Sequence, residues 1–132
     1  MRWHLRTLRY KIRHNIRWPK YAYQRITRGF SDKDMWNADR YLARIYADIL
    51  MWYVHKGMGV SVAYADDWNT PIDIMEERRN VDYYKYADIF RRYAKEGVWD
   101  TQEHIDKWGG VLDSEIDEAL EWFSKHFQGL WD

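Results

Sequence analysis

Four arginines, Arg6, Arg9, Arg13 and Arg17, follow one another at intervals of three or four residues near the start of this 132-residue chain. Guanidinium groups so spaced could grip phosphates, because each offers a planar fork of N–H donors that fits a pair of anionic oxygens. Farther on, Trp36 and Asp39 stand about one helical turn apart and would add an aromatic ring and a polar anchor. These six residues are the candidate ligand contacts.

A second chemistry is suggested by two acid pairs, Asp73 with Glu76 and Glu103 with Asp106. Paired carboxylates on two helices can hold Mg²⁺ against phosphates, as all-α nucleotide pyrophosphohydrolases do. Yet 21 acids in 132 residues make such spacings common by chance. Both pairs also fall in expected first turns, where helix capping explains them. The five histidines form no HExxH or other helix-spaced pair, and no P-loop, GxGxxG or GxSxG elbow is present. With no cysteine there is no thiol nucleophile, disulfide or Cys-based zinc site. No catalytic residue, metal ligand or cofactor is assigned.

The elements that would position these groups read as helices. Leu5, Leu8, Ile12 and Ile16 keep a 3–4 spacing over residues 2–17, and the arginines fall beside them in an arc of about 80°. Trp18-Pro19 is expected to end that helix. The second helix starts at "RGFSDKDMWNADRYL", with Ser31 as N-cap, Asp34 closing a capping box, and Phe30 and Met35 as a hydrophobic staple. Asp32 and Asp34 thereby acquire structural work, which leaves Asp39 beside the apolar seam with an arginine of the basic segment as its expected partner. The seam is read as Met35, Ala38, Leu42, Ile45, Ile49 and Trp52, ending at Gly57.

After a loop over 57–71, in which Val60, Val62 and Tyr64 allow a short strand, Thr70 and Pro71 open a third helix that runs to Gly97. Its apolar phase weakens near Asn80, where a break is allowed, and Tyr83, Tyr86, Ile89 or Phe90, and Tyr93 share a side. The last segment opens on an Asp100–Glu103 capping box and continues through Ile116, Leu120, Phe123 and Phe127. Gly109-Gly110 kinks or divides it. The pattern predicts an all-α, single-domain bundle of four or five helices with a basic N-terminal helical arm (1–30) and an acidic helical body (31–132).

Charge is divided along the chain although the total is zero. Residues 1–30 hold nine Lys/Arg and no acid, so residues 31–132 carry 12 basic against 21 acidic groups, or −9. The arginine stripe could follow a nucleic-acid backbone, with Trp3, Trp18, Tyr21 and Tyr23 for stacking, although the acidic body opposes this. It could equally meet the acidic segment 100–132, within a chain or between subunits. No apolar run approaches the roughly 20 residues that span a bilayer, and no signal peptide is evident, so a soluble cytoplasmic protein is expected. Nine tryptophans and eleven tyrosines exceed what a core of this size requires and favour interfaces or ligand platforms.

"RGFSDKDMWNADRYLARI" resembles the R-G-aromatic-S-D-x-D-x-W-(N/S)-x-D pattern of a group of small tailed-phage proteins, and "ALEWFSKHFQGLWD" is similar to the group's closing segment. The resemblance covers residues 20–56 and 117–132. It implies a phage origin and a place in the host cytoplasm, singles out Trp36 and Asp39, and implies no active site. The resulting expectation is a non-enzymatic accessory protein, homo-oligomeric, that binds a host-defence protein or a nucleotide-like anionic ligand. Nucleic-acid binding, virion assembly and Mg²⁺-dependent pyrophosphohydrolysis are the alternatives.

Overall fold

The computed structural model describes residues 17–57 and 59–130. The expected helix over 2–17 and its arginines up to Arg13 lie outside the described residues. The chain divides into two compact units, 1–38 and 39–132.

In the first unit residues 17–28 are helical (α1) and run through Trp18 and Pro19, where the sequence placed a helix end. Proline removes one helical hydrogen bond, but its fixed φ is itself helical, and the turns beyond Lys20 carry the helix onward. At Gly29, φ reaches 84° and the chain leaves α1. Ser31 then caps α2 (Asp32–Met35) through the expected capping box. Its hydroxyl accepts the Asp34 N–H at 3.3 Å, while Asp34 Oδ2 accepts the Ser31 N–H at 2.8 Å.

The same aspartates also tie α2 to α1. Arg25 donates to both oxygens of Asp34, at 2.9 and 2.6 Å, and holds that carboxyl far below the usual range. Asp32 accepts the Gln24 amide at 2.8 Å and pairs with Arg28, which lowers its pKa to about 2. The staple is not formed as a buried contact, since Phe30 and Met35 are both exposed. Nor does one helix continue to Gly57. The N–H groups of Trp36 and Asn37 bond three residues back, to Lys33 and Asp34 carbonyls at 3.4 and 3.3 Å, and this tight turn separates α2 from the next helix.

That helix is α3 (Ala38–Lys56), followed by a 3₁₀ turn (Val62–Tyr64), α4 (Ile72–Glu96), β1 (Val98–Trp99), α5 (Gln102–Trp108), β2 (Val111–Leu112) and α6 (Asp113–His126). A final 3₁₀ turn covers Phe127–Gly129. The fold is all-α, with six α-helical segments among the described residues. A 3₁₀ turn capped by Ser61 stands where the alternating valines allowed a strand. The two short strands lie elsewhere and pair in parallel, Val98 opposite Val111. Gly109 and Gly110, with φ of 83° and 101°, divide α5 from α6 as expected. At Gly110 a Cβ would stand 2.8 Å from the Gly97 carbonyl, so the strand pairing needs glycine there.

Two helix starts differ from expectation by one residue. Pro71 is itself the N-cap of α4, and the Thr70 hydroxyl instead accepts loop N–H groups of Asp66 and Asp67. Thr101, not Asp100, caps α5 by accepting the His104 N–H. The break near Asn80 does not occur, because α4 fills the gap in its apolar phase with a buried arginine. Arg79, 2% exposed, donates to the Gly59 carbonyl and, at 3.2 and 3.1 Å, to Asn80 Oδ1.

The core of the second unit lies among α3, α4, α6 and β2. Tyr46 of α3 stacks on Phe123 of α6 at 4.2 Å, and both rings meet Phe90 of α4 edge-on, at 5.5 and 5.8 Å. The buried face of α3 is Ala43, Ala47 and Leu50, rotated from the expected Leu42–Ile45–Ile49–Trp52 seam. α6 shows the same rotation: Ala119 and Trp122 are buried with Ile116 and Phe123, while Leu120 and Phe127 are exposed. Alanines inward allow close helix approach, and the large rings across the core fill the volume. Phe90 is fully buried where three helices meet, so Phe90→Ala should cost about 3–5 kcal/mol by the usual cavity penalty. Urea unfolding of the two proteins followed by circular dichroism measures the difference.

Candidate functional site

The rotation of α3 and α6 leaves apolar side chains outside the core, and in the second unit these line a groove of about 330 Å³. One wall is a face of α3: Asp39, Leu42, Ala43 and Tyr46, at i, i+3, i+4 and i+7. The other is the matching face of α6: Asp113, Ile116, Asp117 and Leu120, in the same spacing. Phe90 and Tyr93 of α4, with Val98 of β1, complete the lining. Each wall thus begins with a carboxylate in the first turn of its helix and ends in an apolar residue. Leu42 and Leu120 remain 45% and 47% exposed, whereas Ala43, Phe90 and Ile116 are buried.

Asp39 accepts a hydrogen bond from the Tyr93 hydroxyl at 2.5 Å. That phenol, not an arginine of the basic segment, is its partner among the described residues. The bond holds the Asp39 carboxyl below its ordinary range and, from the other side, raises the phenol. The five acids of α6 divide into two kinds. Glu115, Glu118 and Glu121, none of which is in the lining, are engaged by Arg92, Lys85 and Lys125. Asp113 and Asp117 are exposed and enter no ion pair among the described residues. The groove therefore combines an apolar floor with carboxylates at its rim.

The other predicted site residues lie elsewhere. Arg6, Arg9 and Arg13 fall outside the described residues. Arg17 is exposed on α1, and Trp36 is 87% exposed in the turn after α2. Trp18 and Tyr21, read as stacking residues, line a hollow of about 180 Å³ in the first unit with Ala22, Arg25 and Lys33. The acid pairs Asp73/Glu76 and Glu103/Asp106 are not assembled into a metal-holding group, and no cluster of three or more His, Asp or Glu suited to a metal occurs among the described residues. His104 stacks on Trp99 at 3.9 Å, and His126 stacks on Trp122 at 4.6 Å. Among the described residues the buried Trp122 Nε1 meets no hydrogen-bond partner, and the Tyr64 hydroxyl meets none within bonding geometry although Asp82 lies near; burial, then the Asp82 charge, pushes the Tyr64 phenol up.

Of the groove residues, only Asp39 was singled out from the sequence. The signal for the two helical walls was present twice, as D-x-x-L-A-x-x-Y at 39–46 and D-x-x-I-D-x-x-L at 113–120, while Phe90, Tyr93 and Val98 lie outside both patterns. No known protein family, curated protein or solved structure matches this chain. Among the described residues, no helix is long and apolar enough to cross a membrane.

The Tyr93–Asp39 bond fixes a pH dependence. A carboxyl depressed in the folded state contributes stability that is present above its unfolded pKa of 3.8 and lost as pH falls through the folded value. Between about pH 5 and pH 3 the wild type should therefore lose more stability than Tyr93→Phe. The carboxyl resonance of Asp39, followed by NMR, should titrate at higher pH in that variant.

Proposed function

We propose that this chain is a non-enzymatic accessory protein of a tailed phage, acting in the host cytoplasm by binding, with a host-defence protein as its target. The observation that carries this reading is the groove, in which two helix faces of identical spacing enclose an apolar floor and present carboxylates at the rim. Such a surface suits an amphipathic helix laid into a groove, whose apolar side chains insert at i, i+3, i+4 and i+7. The acids at the rim select a basic helix and repel phosphates. Its volume lies near the low end of ligand pockets, about 300–1,000 Å³, and suits a few inserted aliphatic side chains.

A short amphipathic Leu/Lys peptide tests the groove directly. It should bind with an affinity about tenfold weaker in Asp113→Asn/Asp117→Asn, while a Leu/Glu peptide of the same pattern should not bind. Equal binding of both peptides by calorimetry would sink the reading.

The hollow of the first unit favours a second reading, a nucleotide-like anionic ligand or single-stranded nucleic acid. Trp18 and Tyr21 offer ring faces, and Lys33 offers a cation, within one lining. ATP and a short oligothymidylate are the probes. Under this reading, binding measured by calorimetry is lost in Trp18→Ala and weakened by salt. Absence of heat from both probes removes it.

A further inference from the structure

We infer that in the free protein the groove's occupant is the N-terminal basic segment of a second copy of this chain, a resident that a target helix would have to displace, so that the protein self-associates through its oppositely charged ends. This rests on the reading of the groove as a seat for a basic amphipathic helix. The chain itself encodes such a segment: over residues 2–17, Leu5, Leu8, Ile12 and Ile16 are spaced for one helical face and Arg6, Arg9, Arg13 and Arg17 for the next. The groove supplies the complement, an apolar lining of Leu42, Phe90, Ile116 and Leu120 with Asp113 and Asp117 free of ion pairs among the described residues.

Charge argues for the same occupant. Residues 1–30 hold nine basic groups and no acid; Lys20, Arg25 and Arg28 are paired with Asp32 and Asp34 within the first unit, so the excess to be met lies on the basic groups of residues 2–17, and the acidic body of another copy supplies opposite charge. A chain whose net charge is zero has no overall repulsion between copies to oppose that contact. Asp39 is already engaged by the Tyr93 hydroxyl and, more weakly, by the neighbouring Arg40, so the α3 side of the rim is partly satisfied. Asp113 and Asp117, on the α6 side, have no such neighbour among the ion pairs and are the primary contacts for the arginines.

Sedimentation velocity of the full chain, over a range of concentrations and salt, tests this together with a charge swap. The groove variant is Asp117→Lys/Leu120→Lys, two exposed positions beyond the first turn of α6. The arm variant is Arg9→Glu/Arg13→Glu. The wild type should associate with concentration, and each variant alone should associate at least tenfold more weakly. An equimolar mixture should recover association, because the arm of each variant then meets a groove of opposite charge. Circular dichroism checks folding, and Leu42→Lys on the opposite wall replaces a groove variant that loses helicity. A wild type that stays monomeric at every concentration, as docking within one chain would give, overturns the inference. So does a mixture no more associated than its components. If the wild type is monomeric but the Leu/Lys peptide still binds, only the self-association fails; if the peptide also fails, the groove reading falls with it.

Discussion

The stack of Tyr46 on Phe123, closed at its edge by Phe90, is the contact on which the second unit depends. One ring comes from each of α3, α6 and α4, so each helix is placed by the other two. The neighbouring inward positions of α3 and α6 are alanines, Ala43, Ala47 and Ala119, which leave the rings room to interdigitate. With the helices turned to bring those rings together, Leu42 and Leu120 cannot also face inward. The same rotation that completes the core therefore creates the groove, and its lining is a consequence of packing before it is a binding surface.

Local signals were legible at several caps and glycine breaks, although the helix end at Pro19, the Phe30–Met35 staple and the caps at Thr70 and Asp100 did not form as read. Ser31 and Asp34 encode a capping box in four residues, and Gly57, Gly97 and Gly109-Gly110 fall where helices end or divide. Which face of a helix goes inward was not legible in the same way. Leu42 of α3, Leu120 of α6 and Phe127 of the closing 3₁₀ turn are large apolar residues that a reading by hydrophobicity sends to the core, yet they are exposed. The structure instead buries alanines beside aromatic rings, because steric fit across three helices outweighs the transfer energy of any single leucine. Asp39 was found from its position beside the seam, but its partner Tyr93 is 54 residues away in sequence, a contact no local pattern contains.

α4 illustrates the opposite case, in which a polar residue belongs inside. Its apolar phase falters at "EERRN", yet the helix is continuous for 25 residues. Arg79 takes the inward position, gives hydrogen bonds to Gly59 and Asn80, and lies 5.8 Å from the Tyr83 ring. A buried guanidinium is tolerated when its fork of donors is occupied, and the carbonyl of Gly59 also ties the loop after α3 to α4. What read as a weak point of the helix is where the loop is anchored.

Electrostatics separates the two ligand classes that the sequence left open. Phosphates brought to the groove would meet Asp113 and Asp117, whose charges no arginine or lysine among the described residues offsets by an ion pair. A cationic helix does not meet that obstacle, and its aliphatic side chains would cover Leu42 and Leu120 as they enter. The hollow lined by Trp18, Tyr21 and Lys33 has the reverse character, aromatic and basic. An anionic ligand and a basic protein segment would thus be sorted to different units of the same chain by charge alone.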